Sequence, residues 1–366
     1  MIINTTKHII VGMSGGVDSS VTALLLKNAG HHVEGVFMKN WEEEASDFPC
    51  PASMDMKDAK AVCEQLKIDF HTVNFAPEYW SHVFTHFLDE YKKGRTPNPD
   101  ILCNKEIKFK AFLNYAKHRG ADFIATGHYA RINSRHQLLK GIDLSKDQSY
   151  FLYALNQAQL SQSIFPLGDL EKKSVRNIAR DAHFINHEKK DSTGICFIGE
   201  RRFKNFLNEY LPAKPGKIET DTGKVIGTHD GLMFYTLGQR QGLKIGGQKD
   251  SDESPWYVVH KNLKDNILIV AQGNSHPLLF RHVLYVNNIH WIHEAPAAFP
   301  LEVSAKTRYR QPDEVCIIHA MNDDIYKIEF ARAQRAVTEG QSIVFYDGEI
   351  CLGGGIIETE GANIGR

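Results

Sequence analysis

Apolar and polar positions follow two rhythms along this chain. In the first half, short apolar runs alternate with longer amphipathic stretches. Ile9-Ile10-Val11 reads as a buried strand, and Val21-Thr22-Ala23-Leu24-Leu25-Leu26 as the start of a helix. Val33-Glu34-Gly35-Val36-Phe37-Met38 predicts a strand. Residues 55–66 predict a helix with Ala59, Val62, Cys63 and Leu66 on one face. Phe70-His71-Thr72-Val73 predicts another strand, residues 77–91 a helix with Pro77 in its first turn, and residues 105–118 a further helix. Asp122-Phe123-Ile124-Ala125-Thr126 completes the series as a strand that ends at Gly127-His128. A βαβα rhythm implies a parallel sheet with helices on both faces, and ligands of such sheets sit at the carboxyl ends of the strands. Residues 12–20, Met38-Lys39-Asn40 and Gly127-His128 are thereby expected on one rim, with Met38 placed to pack on an adenine ring or to be simple core.

From about Pro215 the rhythm changes. Gly223, Gly227, Gly231, Gly238, Gly242 and Gly246-Gly247 separate short β-type runs. Alternating runs on either side of Asp347-Gly348 signal a hairpin. The expected fold class is α/β: a Rossmann-like parallel-sheet domain over 1–204, a small mixed or β domain over 205–280, and a C-terminal β-barrel over 281–366. No internal repeat or low-complexity tract is present.

Composition narrows the function classes. The 366 residues are too many for one ordinary core, and 42% hydrophobic with 24% charged residues is the balance of a globular protein. No apolar run reaches the ~18 residues of a membrane span, and MIINTTKHIIVGM does not read as a signal peptide. A cytoplasmic, reducing setting with no membrane partner is expected, and a monomer is the default. The net charge of −1 gives no overall attraction to nucleic acid, so RNA contact would fall to local basic clusters. None of the six cysteines forms a C-x-x-C pair, which argues against zinc ribbons and clusters held by such a motif.

The segment Gly12-Met13-Ser14-Gly15-Gly16-Val17-Asp18-Ser19-Ser20 joins a strand to a helix. Its glycines admit close approach of an anion, and the N–H groups of the first helical turn point at it. It lacks the G-x-x-x-x-G-K-[ST] of kinases and GTPases. The pattern S-G-G-x-D-S resembles the pyrophosphate loop of ATP pyrophosphatases, which cleave ATP between the α and β phosphates. Asp18 is misplaced for phosphate by charge alone, so a Mg²⁺ bridging it to ATP is the expected resolution, with no firm ligand set.

Two cysteines stand in polar, basic surroundings. Cys103 lies in Arg95-Thr96-Pro97-Asn98-Pro99-Asp100-Ile101-Leu102-Cys103-Asn104-Lys105, with Asn104 as the expected helix cap and Lys105 and Lys108 nearby. A helix N-terminus and lysines favour a thiolate, and Asp100 is placed to move a proton. Cys196 lies in Asp191-Ser192-Thr193-Gly194-Ile195-Cys196-Phe197, between lysines and arginines. Cys63, Cys316 and Cys351 fall in apolar-periodic segments and read as buried structural residues, and Cys50 as a non-catalytic loop residue.

These segments resemble the bacterial tRNA-specific 2-thiouridylases. So do Phe37-Met38-Lys39-Asn40-Trp41, Lys146-Asp147-Gln148-Ser149-Tyr150, Tyr235-Thr236-Leu237-Gly238-Gln239-Arg240 and Lys306-Thr307-Arg308-Tyr309-Arg310. The resemblance spans nearly the whole chain. It implies that ATP adenylates the wobble uridine of tRNA for Lys, Glu and Gln on the anticodon arm, with Gly12 to Ser19, Met38 and Gly127 at the nucleotide. It implies that Cys196 carries a persulfide delivered by a cysteine desulfurase or a sulfur-relay protein. Cys103 then releases the sulfur as a Cys103–Cys196 disulfide or joins the attack, and Asp100 handles the N3 proton. By the same resemblance Asn98, Pro99 and Asp100 would touch the target base. His128, Lys146, Asp147, Gln148, Arg308, Tyr309 and Gln341 would touch tRNA, with the 205–280 domain binding it too. His128 also reads as a satisfied strand-end histidine.

Two rivals share the loop. A synthetase or tRNA amino-acid ligase would attack the adenylate with ammonia or an amine and need neither cysteine. A non-enzymatic nucleotide- or RNA-binding protein would release no pyrophosphate. A rhodanese-like sulfurtransferase would not need ATP.

Overall fold

The structure is a computed structural model that describes residues 5–41, 51–191, 203–246, 254–322 and 324–358. Cys50 and Cys196 lie outside the described residues. So do the acidic stretch 42–50 and residues 192–202.

The N-terminal half is a five-stranded parallel sheet. Its strands are β1 (His8–Gly12), β2 (His32–Lys39), β3 (Asp69–Asn74), β4 (Phe123–Ala125) and, after a hairpin of β5 (Ala130–Ile132) and β6 (Leu138–Lys140), β7 (Ser163–Ile164). The order is β3-β2-β1-β4-β7, every pair parallel. Because β1 pairs with both β2 and β4, the connections leave it in opposite directions, and the crevice opens beside the carboxyl ends of β1 and β4. Ile9, Ile10 and Val11 are wholly buried, one face of the sheet against each of two apolar clusters, which is why this run is apolar at consecutive positions. The helices α1 (Val17–Asn28) and α2 (Pro51–Leu66) lie where the 3.6-residue pattern put them. Buried Ala59, Val62, Cys63 and Leu66 form the predicted inner face.

A second sheet, ordered β10-β11-β8-β9, is built from β8 (Gly216–Thr220), β9 (Val225–His229), β10 (Trp256–Asn262) and β11 (Ile267–Gln272). It is mixed, since β8 runs parallel to β11. The third part contains β12 (Phe280–Trp291), β13 (Leu301–Lys306), β14 (Glu314–Ala320), β15 (Ile325–Arg335), β16 (Ser342–Asp347) and β17 (Ile350–Glu358). The order β12-β15-β14-β13-β16-β17 closes into a barrel through the β12–β17 pairing. The Asp347-Gly348 hairpin forms as read, with Asp347 opposite Ile350 and Gly348 at φ +56°. The β5–β6 hairpin of the N-terminal half pairs with β17 and so extends the barrel sheet.

The junction behind that pairing is a buried ionic cluster. Lys140 reaches the Asp313 carboxylate and lies 4.4 Å from the centre of the Tyr346 ring. Lys306 stands 3.4 Å from Asp313 and 3.6 Å from Asp147. Charges this deep are tolerated because each has an opposite partner. Among the described residues no helix is long and apolar enough to cross a membrane.

Candidate active site

The glycine-rich loop wraps the start of α1. Gly16 is the N-cap residue and carries no side chain, so the approach to the first turn is open. Ser19 Oγ accepts from Ser14 N at 3.1 Å and donates to Gly16 O at 3.1 Å, and Ser20 Oγ donates to Gly16 O at 2.9 Å. Gly15 has φ +75°, and a Cβ there would stand 2.2 Å from the Asp55 carbonyl oxygen, so only glycine fits. Gly127, at the end of β4, faces the same turn: a Cβ there would be 2.9 Å from the Asp18 carbonyl carbon and 3.0 Å from Ser19 N. Gly12, Gly15, Gly16 and Gly127 thus belong to one rim, as the strand pattern required. Met38 lies over Gly12, its Cε 3.1 Å from where a Cβ would be, half-buried against the apolar cluster behind β1.

The charge of Asp18 is met by protein groups. Lys172 Nζ donates to its two carboxylate oxygens at 2.7 and 2.8 Å, and the Tyr129 hydroxyl donates to Oδ1 at 2.9 Å. Lys172 also stands 2.8 Å from Asp191, which Lys146 and Arg176 reach at 2.8 Å each. Burial alone would raise the Asp191 pKa; hydrogen bonds from Lys146 and Lys172 outweigh it and hold the carboxyl down at about 2. The Mg²⁺ expected beside Asp18 would meet a carboxylate already engaged by an ammonium. Sequence reading missed Lys172 and Asp191 as parts of this site. Lys172 follows Asp18 by 154 residues and opens a surface helix, Lys172–Asp181, where a lysine carries no distinguishing signal.

The Cys103 turn differs from its expected form. The helical segment starts six residues before 105, with Asn98 as N-cap accepting from Asp100 N at 3.2 Å, and Pro99 in its first turn. Asn104 is not a cap: it is buried and its Nδ2 donates to Phe151 O at 3.0 Å. The first turn, Pro99–Leu102, widens into π-type turns over Cys103–Ala111 before closing again over Phe112–His118. Such widened turns recur at functional sites. Cys103 is not on an open polar rim. It is fully buried, in the same apolar cluster as Ile101, Ile107 and Phe109. The same helical segment crosses the rim of the sheet. Phe112 lies 3.5 Å from the Cβ position of Gly12, and Phe109 sits 5.7 Å from the His128 ring.

Several residues assigned to tRNA by resemblance have partners inside the protein. His128 is 8% exposed, its Nδ1 is 2.7 Å from Thr126 Oγ1, and burial together with the Lys108 charge pushes its pKa well down, so it is neutral. Asp147 is 3% exposed and accepts from Gly141 N, Ser149 N and Ser149 Oγ. Gln148 pairs with the Tyr129 backbone. Arg308 Nη2 donates to Leu237 O at 3.1 Å and Ala336 O at 2.7 Å, joining the central sheet to the barrel. Gln341 Nε2 donates to Thr96 O at 2.5 Å. Lys146 and Tyr309 remain half-exposed, Tyr309 packed at 4.5 Å on Phe151 and under Arg310. Cys63, Cys316 and Cys351 are buried as read. Burial pushes the Cys63 and Cys316 thiols up to about 12.

Among the described residues one cluster has metal-ligand chemistry, at the opposite end of the sheet. Donor atoms of His8, His32 and Glu34 lie within 4.8 Å of one another. Glu34 is already saturated there, with Oε1 2.7 Å from His8 and Oε2 held by Arg119 at 2.9 and 3.2 Å. A guanidinium in the donor set opposes a cation.

Comparison with known proteins decides the family. A tRNA methyl transferase HUP domain model matches residues 7–200, a PRC-barrel domain model 204–272 and an aminomethyltransferase β-barrel domain model 281–357. A protein of Aeromonas hydrophila named tRNA-specific 2-thiouridylase MnmA is 59% identical over 359 residues, covering 97% of each chain. One of the same name from Salmonella typhimurium is 59% identical over 356 residues, 96% of this chain and 97% of that one. The chain belongs to the tRNA-specific 2-thiouridylase family. The three matched segments fall on the parallel sheet, the mixed sheet and the closed barrel of this chain in turn. Among solved structures, a U34-tRNA thiolase from Methanococcus maripaludis with its [4Fe-4S] cluster shares 19% identity at TM-score 0.35, over 56% of this chain and 63% of that one. It is too distant to bear on the chemistry.

Proposed function

We propose that this protein converts the wobble uridine of tRNA for Lys, Glu and Gln to 2-thiouridine, with ATP and Mg²⁺ entering together and a persulfide as sulfur source. The observation that carries the reading is one helical segment. It bears Asp100 and Cys103 near its start and, further along, sets Phe112 beside Gly12 of the glycine-rich loop and Phe109 beside the His128 ring. An enzyme that only adenylates has no use for a cysteine there. The boundaries we assign are 1–204 for catalysis, 205–280 for a small tRNA-binding domain and 281–366 for the barrel, in a cytoplasmic monomer.

In this reading Gly12, Met13, Ser14, Gly15, Gly16, Val17, Asp18 and Ser19 receive the pyrophosphate, and Met38 and Gly127 border the nucleoside. The open first turn of α1 supplies N–H groups to the phosphates. Lys172 supplies a buried cation within reach of them, already desolvated and in place. Uracil O2 attacks the α-phosphorus, the N3 proton passes to Asp100, and pyrophosphate leaves. The terminal sulfur of the Cys196 persulfide, delivered by a cysteine desulfurase or a relay protein, attacks C2 and AMP departs. The Cys103 thiolate then attacks Cys196 Sγ. The S–S bond to the transferred sulfur breaks, its electron pair stays on C2–S, and N3 regains its proton. Two thiol equivalents have become a disulfide, which a cellular thiol reductant reopens. Asn98 and Pro99 fix the turn beside the base, and Lys146, Tyr309 and Arg310 offer a basic and aromatic surface to the anticodon arm. An anticodon base is single-stranded and can be turned into such a site.

The test is thiolation of an unmodified tRNA transcript by wild type, Cys103→Ser and Cys196→Ser, with pyrophosphate followed in parallel. Both variants should lose 2-thiouridine by on the order of 10³-fold or more while pyrophosphate release survives in at least one. Thiolation by both variants, or none by wild type, sinks the reading.

A further inference from the structure

Residues 94–96, separated from the Asn98 cap by Pro97 alone, are gripped from both other parts of the molecule. Gly94 takes φ +74°, and its carbonyl accepts from Lys261 Nζ of the central sheet at 3.1 Å. The Arg95 guanidinium meets the barrel residue Glu358 at two points, Nη1 to Oε1 at 3.0 Å and Nη2 to Oε2 at 2.5 Å, and reaches Glu90 at 3.4 Å. Thr96 N donates to Glu339 O at 3.0 Å, Thr96 O accepts from Gln341, and Thr96 Oγ1 is 3.4 Å from Thr236 Oγ1. Gly340 lets the two backbones touch: a Cβ there would stand 3.0 Å from Arg95 Cβ and 3.1 Å from Thr96 N.

A paired fork between guanidinium and carboxylate fixes orientation as well as distance. Prolines 97 and 99 lock two of the next φ angles. A rotation imposed at Arg95 is therefore passed on to the turn that carries Asp100 and Cys103, with little slack to absorb it. Arg95 is about one-fifth exposed, with its guanidinium engaged by Glu90 and Glu358.

We infer that Arg95 is a positioning residue for sulfur transfer: it ties the barrel, through Glu358, to the turn bearing Asp100 and Cys103, so that RNA seated on the barrel is held in register with the thiol. The inference rests on the thiolase reading above. It gives Gln341 a role in the same coupling, since its amide holds the backbone of Thr96.

The experiment compares wild type, Arg95→Lys, Arg95→Met, Glu358→Gln and the charge-swapped R95E/E358R. For each, the tRNA dissociation constant, the melting temperature and the single-turnover rate of 2-thiouridine formation by persulfide-loaded enzyme are measured. Arg95→Met should slow the single-turnover rate on the order of 10- to 100-fold, the size of effect a small misplacement produces, with tRNA affinity within about twofold of wild type. Arg95→Lys and Glu358→Gln should fall between, and the charge swap should recover most of the loss. Equal rates per folded molecule in wild type and Arg95→Lys, Arg95→Met and Glu358→Gln overturn the inference. So does a loss of affinity that accounts for the whole loss of rate, or a charge swap no faster than Arg95→Met. If wild type thiolates and the variants fail these expectations, only the inference falls. If wild type makes no 2-thiouridine, the thiolase reading falls and takes it along.

Discussion

The parallel sheet carries a charge cluster at each end. At the amino ends of β1 to β3, Glu34 is enclosed by His8, His71 and Arg119, and both of its oxygens are engaged. At the carboxyl ends, Asp18, Lys172 and Asp191 form a chain of comparable density, with Lys146 and Arg176 beyond it. Ion pairing alone does not distinguish the two. The backbone does. At the carboxyl rim Gly12, Gly15, Gly16 and Gly127 bring the main chain close, and a helix opens there with its N–H groups unhindered. The amino rim meets the other end of the same strands. Charges become a phosphate site where bare backbone donors stand beside them.

The sharpest way to break this comparison is at Lys172. Lys172→Met leaves Asp18 and Asp191 facing each other without their shared cation. Pyrophosphate release should fall on the order of 10²-fold. Stability should drop by about 2 kcal/mol, allowing for the partial exposure of both carboxylates. The pH dependence has a definite sign. Asp191 is held down at about 2 against an ordinary value of 3.8, so its contribution is complete above pH 4 and is lost as pH falls towards 2. Thermal melts of wild type should show that acid loss, and Lys172→Met should show less of it. Unchanged pyrophosphate release in Lys172→Met would mean that the cation is structural only.

A smaller effect is expected at Gly127. Gly127→Ala inserts a methyl 2.9 Å from the Asp18 carbonyl carbon and must push the rim apart. ATP-dependent pyrophosphate release should drop roughly tenfold, with the tRNA dissociation constant unaltered. A fully active variant would show that the two loops need not touch.

The smallest functional effect is expected at the other rim. Glu34→Gln should leave thiolation at the wild-type rate and cost about 1–2 kcal/mol of stability near neutral pH. Burial works against the Glu34 carboxylate, but hydrogen bonds from Arg119 and His8 hold its pKa below the usual 4.5. Its contribution is thus present above pH 4.5 and fades below it, so the gap in melting temperature between wild type and variant should close as the pH is lowered. A gap that widens in acid would reverse the assignment.

Much of this was legible in one dimension. The consecutive apolar run at Ile9-Ile10-Val11, the helical face of Ala59, Val62, Cys63 and Leu66, and the Asp347-Gly348 hairpin each follow from local periodicity and turn chemistry. The glycine-rich loop was visible for the same reason, because its turn, its glycines and its helix are contiguous. The sequence also singled out the 95–110 segment as chemical, from its prolines, its cysteine and its lysines.

Tertiary structure decided the rest. The helical segment that carries Cys103 starts at Asn98 and not at the expected Asn104, and Cys103 is buried within it, which local sequence pattern did not signal. The burial of Asp147 beside Lys306 and the engagement of Arg308 by Leu237 depend on the barrel and the central part packing against their neighbours, whereas His128 is enclosed by Phe109 and Phe165 of the first part itself. Lys172 reaches Asp18 because two helices far apart in sequence lie side by side in the first part of the molecule, and Glu358 reaches Arg95 because the barrel packs against that part. Periodicity records which face of an element is apolar. It carries no record of which distant charge will be buried opposite, because that partner is fixed by the packing of elements far apart in sequence and not by any pattern within reach along the chain.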